Sequence, residues 1–391
     1  MDDPFAGTCR DDPYPIYRRT REATPVHESS LGLPAYFRYA DCAALLRDNR
    51  WGRGSGIRRL RGAENRGNRR SFLRQDPPDH TRLRRLVAKA FSPQVITGLR
   101  PRIERIVNEL LDQALAEVEV DLVERYAYPI PVTVICELLG VPYADHARFG
   151  VWARALARGQ DPEEILTTEE IRLRNGAIQN FRGYFRDLVA ERRSAPTGDD
   201  LVSRLIAVRE EGDRLDDAEL LATLVLLLFA GHETTSTLIS NGTYLLLRHP
   251  DQLGLVRDGR VPEEASFVDE LIRYDGPIQF MSRTALVDVE HAGRQYAAGD
   301  TVLLVTAAAN RDPEVFAEPD RLDVARPGTR HLAFGLGIHF CLGAQLARLE
   351  GRIAIETLLR RAPELTLATD SVEYKPNMIM RGLRELPVRL R

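Results

Sequence analysis

The chain has 391 residues, of which 43% are hydrophobic, and a formal net charge of −3 at pH 7. That length can bury a large core, and the small net charge gives no sign of a nucleic-acid partner. The four cysteines lie far apart without a CxxC pair, which disfavours disulfide frameworks and zinc fingers and favours a reducing compartment. The start, MDDPFAGTCRDDPYP, is unlike a signal peptide, and the most apolar run, residues 220–231, is too short to span a bilayer. We therefore expect a cytoplasmic protein without a membrane-inserted segment.

Apolar side chains recur with helical spacing along most of the chain. In chain order, helices are predicted at residues 39–48, 101–118, 169–193 and 217–248. Strand-like segments are shorter, and they lie at residues 35–38, 295–296, 301–305 and 386–390. No internal repeat or long linker divides the sequence. The pattern predicts a mainly α-helical fold with small β-sheets, formed as a single domain over residues 1–391.

The predicted helix 217–248 has an unusual middle. It begins with Asp216 and Glu219 at the spacing of a capping box, and residues 224–230 are apolar on every face. AGHETT follows, although glycine inside a helix costs about 1 kcal/mol relative to alanine. One interpretation is a kink at which threonines bond to preceding carbonyl groups. The other is a local opening at which Glu233 and Thr234 face a buried ligand and relay protons to it.

Five short motifs together resemble those of the cytochrome P450 family. FGLGIHFCLG resembles its haem-binding loop, F-G-x-G-x-H/R-x-C-x-G, and AGHETT resembles its oxygen-activation motif. ELIR, PDRLD and HTRLR resemble its E-x-x-R pair, its arginine-bearing meander and an H-x-x-x-R motif, with Leu322 where phenylalanine is usual. The motifs occur in the family's order over nearly the whole chain. The resemblance implies a P450 fold, with haem between the central long helix and the helix that follows the cysteine loop.

Cys341 is the residue that this resemblance assigns to the iron. Glycines at 335, 337 and 343 allow tight turns and a close approach to a flat ligand, and a helix N-terminus after the cysteine favours the thiolate. A thiolate ligand donates electron density to iron. Without a C-x-x-C-H motif, haem b is expected to bind non-covalently. The cofactor-binding residues expected in this loop are Phe334, Gly335, His339, Cys341 and Gly343.

Further residues are expected around the cofactor. His80 and Arg84, four residues apart, share one helical face, and the resemblance adds Arg283 and His339 as partners of the haem propionates. The resemblance also makes three residues a structural clamp behind the haem rather than a catalytic group: Glu270, Arg273 and Arg321.

The predicted activity is that of a haem-thiolate monooxygenase, which inserts one oxygen atom of O2 into a largely apolar small molecule. Glu233 and Thr234 would deliver protons during catalysis. A peroxide-using or oxidative-coupling enzyme on the same fold is an alternative within enzymes, and a non-catalytic haem sensor is an alternative outside them. By resemblance, the substrate contacts are Leu226, Phe229, Ala230, Ile278, Gln279, Phe280, Ile379 and Met380. A natural product is the expected substrate class.

Electrons are expected from a separate ferredoxin or flavodoxin with its reductase, and we expect the chain to act as a monomer. Outward charges of Arg82, Arg85, Lys89 and Arg348 are predicted to attract an acidic donor. Residues 51–74 hold eight arginines and form the expected lid. They are interpreted either as a solvated loop or as the source of one or two arginines that clamp an acidic group on the substrate or its carrier.

Overall fold

The computed structural model describes residues 3–5, 11–53, 71–161, 163–195, 200–208 and 212–391. These residues form two compact units. Unit 1 consists of the described parts of Met1–Trp51, Val107–Pro129 and Thr234–Arg391. Unit 2 consists of the described parts of Gly52–Ile106 and Ile130–Glu233. The single domain over residues 1–391 stays a prediction.

Helices dominate, as the sequence predicts. They are α1 (Tyr14–Ala23), α2 (Tyr39–Arg47), α3 (Asp79–Ala90), α4 (Pro93–Gly98), α5 (Arg100–Ala114), α6 (Pro129–Leu139), α7 (His146–Arg158), α8 (Thr168–Ser194), α9 (Leu201–Ala207), α10 (Asp217–Arg248), α11 (Pro250–Arg257), α12 (Phe267–Asp275), α13 (Thr306–Ala309) and α14 (Ala344–Arg361). The helix predicted at 169–193 is α8, which begins with a capping box between Thr167 and Glu170. The one predicted at 101–118 is α5, which ends earlier because residues 119–121 form a strand.

The central helix α10 has the bounds that its capping residues predict. The backbone N–H of Glu219 donates to Asp216 Oδ1 over 2.8 Å, and the Asp216 N–H donates to Glu219 Oε2 over 2.9 Å. These two bonds satisfy N–H groups that a helix start leaves without an intrahelical partner. The helix then runs for 32 residues without interruption.

By length and composition, α10 could also cross a membrane. However, 78% of its most apolar 18-residue window is buried inside the protein. The core helix of a globular protein has the same apolar character on all faces. The apolar surface of α10 is therefore explained by packing within the fold.

Unit 1 contains a five-stranded sheet in the order β1-β2-β8-β5-β3. Its strands are β1 (His27–Glu28), β2 (Pro34–Tyr36), β3 (Trp51–Gly52), β5 (Met281–Ala285) and β8 (Thr301–Leu304). β8 lies in the middle, parallel to β2 and antiparallel to β5. All four residues of β8 are buried, as expected of a central strand covered on both faces. The sheet thereby fixes β5, the strand that carries Arg283.

Two smaller sheets complete unit 1. β4 (Glu119–Asp121), β10 (Pro387–Arg389) and β9 (Thr366–Leu367) pair antiparallel in the order β4-β10-β9. β6 (Val289–His291) and β7 (Arg294–Tyr296) form a hairpin. The strands predicted at 295–296, 301–305 and 386–390 are thus present, with ends that differ by one or two residues.

Candidate functional site

The loop before α14 is closed by backbone hydrogen bonds around Cys341. The Cys341 N–H donates to the Phe334 carbonyl over 2.9 Å, and the Gly335 N–H donates to the Leu332 carbonyl over 2.8 Å. Gly335 and Gly337 have φ angles of +69° and +68°, a region that other residues rarely adopt. The loop conformation therefore depends on these two glycines.

The glycines of this loop have different packing roles. A Cβ at Gly337 would lie 2.7 Å from the Leu46 carbonyl oxygen at the end of α2. Any side chain here would collide with that backbone, so the close approach of the loop to α2 requires glycine. A Cβ at Gly343 would meet no described protein atom within 4 Å, and the φ of Gly343 is −86°. Packing within the described protein therefore gives no reason for glycine at 343, whereas a flat ligand against the loop would.

Cys341 differs in its surroundings from the other described cysteines. Cys42 and Cys136 are buried, and burial raises the pKa of both thiols. Cys341 is only partly buried and precedes the N-cap of α14, Gly343. Gly343 has no side chain to bond the first N–H groups of the helix, which therefore keep their capacity to stabilise an anion.

Phe334 and Arg348 are held together beside this loop. The Arg348 guanidinium lies 4.6 Å from the Phe334 ring centroid, and its Nε donates to Asp269 Oδ1 over 2.8 Å. Burial opposes ionisation of Asp269, but the hydrogen bond from His331 and the charge of Arg348 outweigh it and lower the pKa of Asp269 to about 2. Arg348 is thus paired with Asp269 while 36% of its side chain remains exposed, and its role as a docking charge stays a prediction.

The two predicted propionate partners of unit 1 lie on different elements. Arg283 lies on β5 with only 2% of its surface exposed, and its Nη1 donates to the Ser282 carbonyl over 3.0 Å. His339 ends a 3₁₀ turn, Gly337–His339, and is partly buried. Sheet pairing fixes the first residue, and the loop conformation fixes the second.

In unit 2, α3 carries the predicted HTRLR motif on a helix, as expected. His80 is 1% exposed, and Arg84, one turn later on the same face, is partly buried. Arg82, predicted to project into solvent, instead forms ion pairs with Asp213 and Glu219. Only Arg85 and Lys89 of the predicted docking charges on α3 are exposed.

The AGHETT segment lies within an uninterrupted helix, so the predicted local opening is not observed. His232 bonds through Nδ1 to the Leu228 carbonyl over 2.9 Å and is buried. Glu233 is 3% exposed, whereas Ala230 is exposed and Thr234, one turn later on the same face, is partly exposed. This accessible face of α10 places a hydroxyl beside a small residue. Glu233 precedes Thr234 in the chain, and its side chain is buried.

The predicted clamp contains a different third arginine. Arg273 Nε donates to Glu270 Oε2 over 2.7 Å, and both side chains are fully buried. Arg273 also donates to the carbonyls of Asn310, Pro319 and Arg321, over 2.9, 2.8 and 3.2 Å. The side chain that joins Glu270 is Arg326, whose Nε lies 3.2 Å from Oε2. Arg321 contributes only its carbonyl, because its side chain is 61% exposed and pairs with Glu318.

The predicted substrate contacts are only partly accessible. In unit 2, Phe229 and Ala230 are accessible on α10 but Leu226 is buried. In unit 1, Ile278 and Ile379 are partly exposed, and Met380 is 5% exposed.

Two further predicted contacts, Gln279 and Phe280, have side chains that pack against other residues of unit 1. Gln279 Nε2 donates to the Gly276 carbonyl over 3.0 Å, and its Oε1 accepts from the Tyr17 hydroxyl over 3.3 Å. The Phe280 ring lies edge-on to Phe5, with 5.2 Å between ring centroids. Both side chains are buried and belong to the core.

The sequence matches a known protein family. A family model described as "Cytochrome P450" matches residues 161–257 and 265–381, more than half of the chain. The chain belongs to the cytochrome P450 family. This membership confirms the expected fold and the expected enzyme class, a P450 monooxygenase. Enzymes of this family generally act on small substrates and use redox partners.

Similar proteins cover nearly the whole P450 chain. The polyketide biosynthesis cytochrome P450 PksS of Bacillus subtilis is 38% identical over 99% of this chain and 98% of its own. A structure of P450BioI in complex with an acyl carrier protein ligated to hexadec-9Z-enoic acid has a TM-score of 0.88, with 35% identity over 97% and 98% of the chains. The myxobacterial CYP267B1 in complex with myristic acid has a TM-score of 0.90, with 39% identity over 99% and 98%.

The family implies a haem-thiolate cofactor, and the residues of this P450 fit one. Cys341 offers one accessible thiol ahead of a helix start that has no capping side chain. The space where a Cβ at Gly343 would point is clear of described protein atoms. Both features match a thiolate ligand under a flat macrocycle.

A buried acid on the helix after the cysteine was not among the predicted site residues. Glu350 on α14 is 1% exposed, and its Oε2 has no hydrogen-bond partner in the described chain. Burial alone raises the pKa of this carboxyl to about 8. The sequence holds an indirect signal, because Leu346 and Ile353, which share one helical face with Glu350, are apolar and both are buried.

The buried acid should make stability depend on pH. An unfolded carboxyl titrates near 4.5, so between that pH and about 8 only the folded state holds the proton. The free energy of unfolding should therefore fall as the pH rises through this window, by at most about 1.4 kcal/mol per pH unit. Glu350→Gln should raise it by roughly 2 to 4 kcal/mol at pH 7.5 and should flatten the profile.

Urea unfolding followed by circular dichroism from pH 5 to 8.5 measures this effect. Glu364→Gln, at an exposed position just beyond α14, is the matched control and should leave the profile unchanged. Parallel profiles of the wild type and Glu350→Gln would show that Glu350 is ionised in the folded protein.

Proposed function

We propose that this P450 binds haem b non-covalently, with the Cys341 thiolate as its axial ligand. The observation that carries the proposal is the cysteine loop, in which two left-handed glycines present a partly accessible thiol before an uncapped helix start. Haem with a thiolate ligand activates O2, so that one oxygen atom can be inserted into an organic substrate. The protein supplies the ligand, the orientation and the protons.

The propionates of the haem would be held by four side chains. Arg283 and Arg84 can form charge-assisted hydrogen bonds to carboxylates, which are stronger than neutral ones. His80 and His339 can add N–H donors. The positions of Arg283 on β5 and of His80 on α3 are buried, at 2% and 1% exposure, and this burial supports a ligand-binding role over ordinary surface charge.

We assign proton delivery to Thr234 and Glu233. The Thr234 hydroxyl lies on the accessible face of α10 and can donate a proton through Oγ1 while accepting one in turn. The Glu233 carboxyl, next in the chain, can supply that proton if water connects the two groups. An enzyme that uses peroxide needs no such relay, and a haem sensor needs no turnover. The relay residues therefore favour an O2-dependent monooxygenase over both alternatives.

Replacing the relay residues should separate electron consumption from product formation. Thr234→Ala should keep haem and substrate binding but lower product per NADPH about 10-fold, with the electrons released as hydrogen peroxide. Glu233→Gln should slow turnover by a similar factor. Product, NADPH and peroxide are measured with a surrogate ferredoxin and its reductase. Thr235→Ala, which changes the adjacent buried threonine, is the control. Unchanged coupling and rate in both relay variants would remove this assignment.

We propose a largely apolar natural product as the substrate and a separate ferredoxin or flavodoxin as the electron donor. The accessible predicted contacts Phe229, Ala230, Ile278 and Ile379 are apolar, and PksS acts in polyketide biosynthesis by its name. A cytoplasmic location and a monomeric state fit the same proposal. Substrate-dependent NADPH consumption with surrogate partners, across a natural-product library, tests it. Consumption without any oxidised product would favour the sensor.

A further inference from the structure

A β-bridge in unit 1 joins two segments that carry predicted substrate contacts. Ile278 and Met380 oppose each other in this antiparallel bridge. Two backbone hydrogen bonds flank it, from the Gln279 N–H to the Ile379 carbonyl over 2.9 Å and from the Arg381 N–H to the Pro277 carbonyl over 2.8 Å. We call residues 277–279 and 379–381 the bridge ribbon. Because opposed residues share one face and their neighbours point to the other, Ile278 and Met380 lie on one face and Arg381 points to the opposite face.

Helix α10 holds the bridge ribbon on the side that carries Thr234. Asn241 is 2% exposed; its Nδ2 donates to the Arg381 carbonyl over 3.0 Å, and its Oδ1 accepts from the backbone N–H two residues further on over 3.3 Å. A Cβ at Gly382 would lie 2.7 Å from Thr237 Oγ1. Thr234, Thr237 and Asn241 are three and four residues apart, so they share one face of the helix. The end of the ribbon therefore packs against α10 about 5 Å along the helix axis from the proposed relay hydroxyl.

The Arg381 side chain anchors the opposite face of the bridge ribbon. Its Nε donates to Asp275 Oδ1 over 2.9 Å, and the two side chains are 8% and 5% exposed. Its Nη2 donates to the Asp11 carbonyl over 3.0 Å, and its guanidinium lies 3.5 Å from the Tyr374 ring centroid. The Tyr14 hydroxyl donates to the same Asp275 oxygen over 2.7 Å. Segments from near both ends of the chain thus fix one guanidinium.

Stability alone does not account for this buried ion pair. The cost of taking two charges out of water largely offsets their attraction, and apolar residues of similar volume often stabilise a fold as well. Directed hydrogen bonds add something that apolar packing does not, because they define one orientation of the guanidinium. Since Met380 directly precedes Arg381, the same bonds restrain the position of the apolar face that Met380 shares with Ile278.

We propose that Asn241 and the Asp275–Arg381 ion pair are positioning groups that fix one apolar wall of the substrate site. They act through the bridge ribbon, where Ile278 is partly exposed and Met380 packs on the same face. This inference rests on the proposed monooxygenase function, and it adds the groups that determine which apolar shapes its site accepts. Most of the predicted lid, residues 54–70, lies outside the described residues and plays no part in it.

Two iron ligands of different size test the positioning role in the haem-loaded protein. Imidazole and 4-phenylimidazole both bind the iron through a ring nitrogen, but only the phenyl group reaches the surrounding wall. Each is titrated by the shift of the Soret band. The wild type should bind 4-phenylimidazole at least about 10-fold more tightly than imidazole, because the phenyl group is buried against apolar side chains.

Arg381→Met keeps the length and the apolar stem but removes the directed bonds. It should reduce the preference for 4-phenylimidazole about 5-fold or more, the equivalent of one or two buried methylene groups. The affinity for imidazole should stay within about 2-fold of the wild-type value. Asn241→Leu, which keeps the volume and removes both hydrogen bonds to the segment, should act in the same direction. Arg384→Met, three residues beyond Arg381 with 70% of its side chain exposed, is the matched control and should keep the wild-type preference.

A second control separates positioning from stability. Val388→Ala, at a fully buried position of β10, should lower the thermal unfolding temperature and leave the preference unchanged. An unchanged preference in both Arg381→Met and Asn241→Leu would overturn the inference, and so would an equal loss in Val388→Ala. A wild type without any Soret shift would overturn the proposed function and this inference with it. A normal imidazole shift with an unchanged preference counts against the positioning groups alone.

Discussion

Cys341→His is expected to move the Soret band of the reduced, carbon-monoxide-bound protein from the long wavelength typical of thiolate ligation to a shorter wavelength. The thiolate donates electron density to iron, and a neutral imidazole donates much less. Oxygen insertion should also be lost. Residues that merely orient a metal ligand cost about 10- to 100-fold when replaced, so replacing the ligand itself should cost more than about 100-fold. Spectra and product formation are measured on the same preparation.

The other cysteines provide the control for this experiment. Cys42→Ala removes a thiol that is fully buried in the core of unit 1, and it should leave the band and its position unchanged. If Cys341→His keeps the long-wavelength band, another residue ligates the iron and the proposed function fails at its first step.

Arg273→Ala is expected to cause the largest loss of stability of any single change in the clamp. It would leave the Glu270 carboxylate buried at 0% side-chain exposure and would remove the donor to three loop carbonyls. Breaking a buried ion pair from one side costs about 3–5 kcal/mol. Arg326 remains near Glu270 and offsets part of that cost, so about 3 kcal/mol is the expected decrease in the free energy of unfolding. Urea unfolding at pH 7 measures it.

Arg321→Ala is the matched control, since the family motif assigned that residue to the clamp. Its side chain is mostly exposed and pairs with Glu318 on the surface, so the free energy of unfolding should change by no more than about 0.5 kcal/mol. Arg326→Ala should lower the free energy of unfolding by an amount between those expected for Arg321→Ala and Arg273→Ala. Equal losses for Arg321→Ala and Arg273→Ala would mean that the Arg321 side chain, and not its carbonyl alone, supports the clamp.

Long-range contacts account for the side chains whose surroundings differ from those expected. Arg321 and Arg326 lie five residues apart in one irregular segment, and nothing in the sequence says which of them turns toward Glu270. Gln279 was expected at the substrate, but its amide is held by Tyr17, which is 262 residues away in the chain. Arg82 meets Asp213 131 residues further on. Each outcome depends on which distant segment packs against the side chain.

The sequence by itself determined the features that depend on near neighbours. The capping pair Asp216 and Glu219 indicated where α10 begins, and the glycines at 335 and 337 indicated the tight turns of the cysteine loop. Motif order then indicated the P450 family and Cys341. Such features are encoded within a few residues, where backbone sterics and local hydrogen bonds decide the conformation.

Only the tertiary structure decided which side chains are desolvated and what stands beside them. It joined Arg326 to Glu270 and buried Glu350 without a partner for Oε2 in the described chain. The energy of a charge depends on its solvation and on the charges around it, which residues far apart in the sequence supply when the chain folds. Local sequence therefore located the cysteine loop, whereas packing set the electrostatics of the clamp and the buried acid.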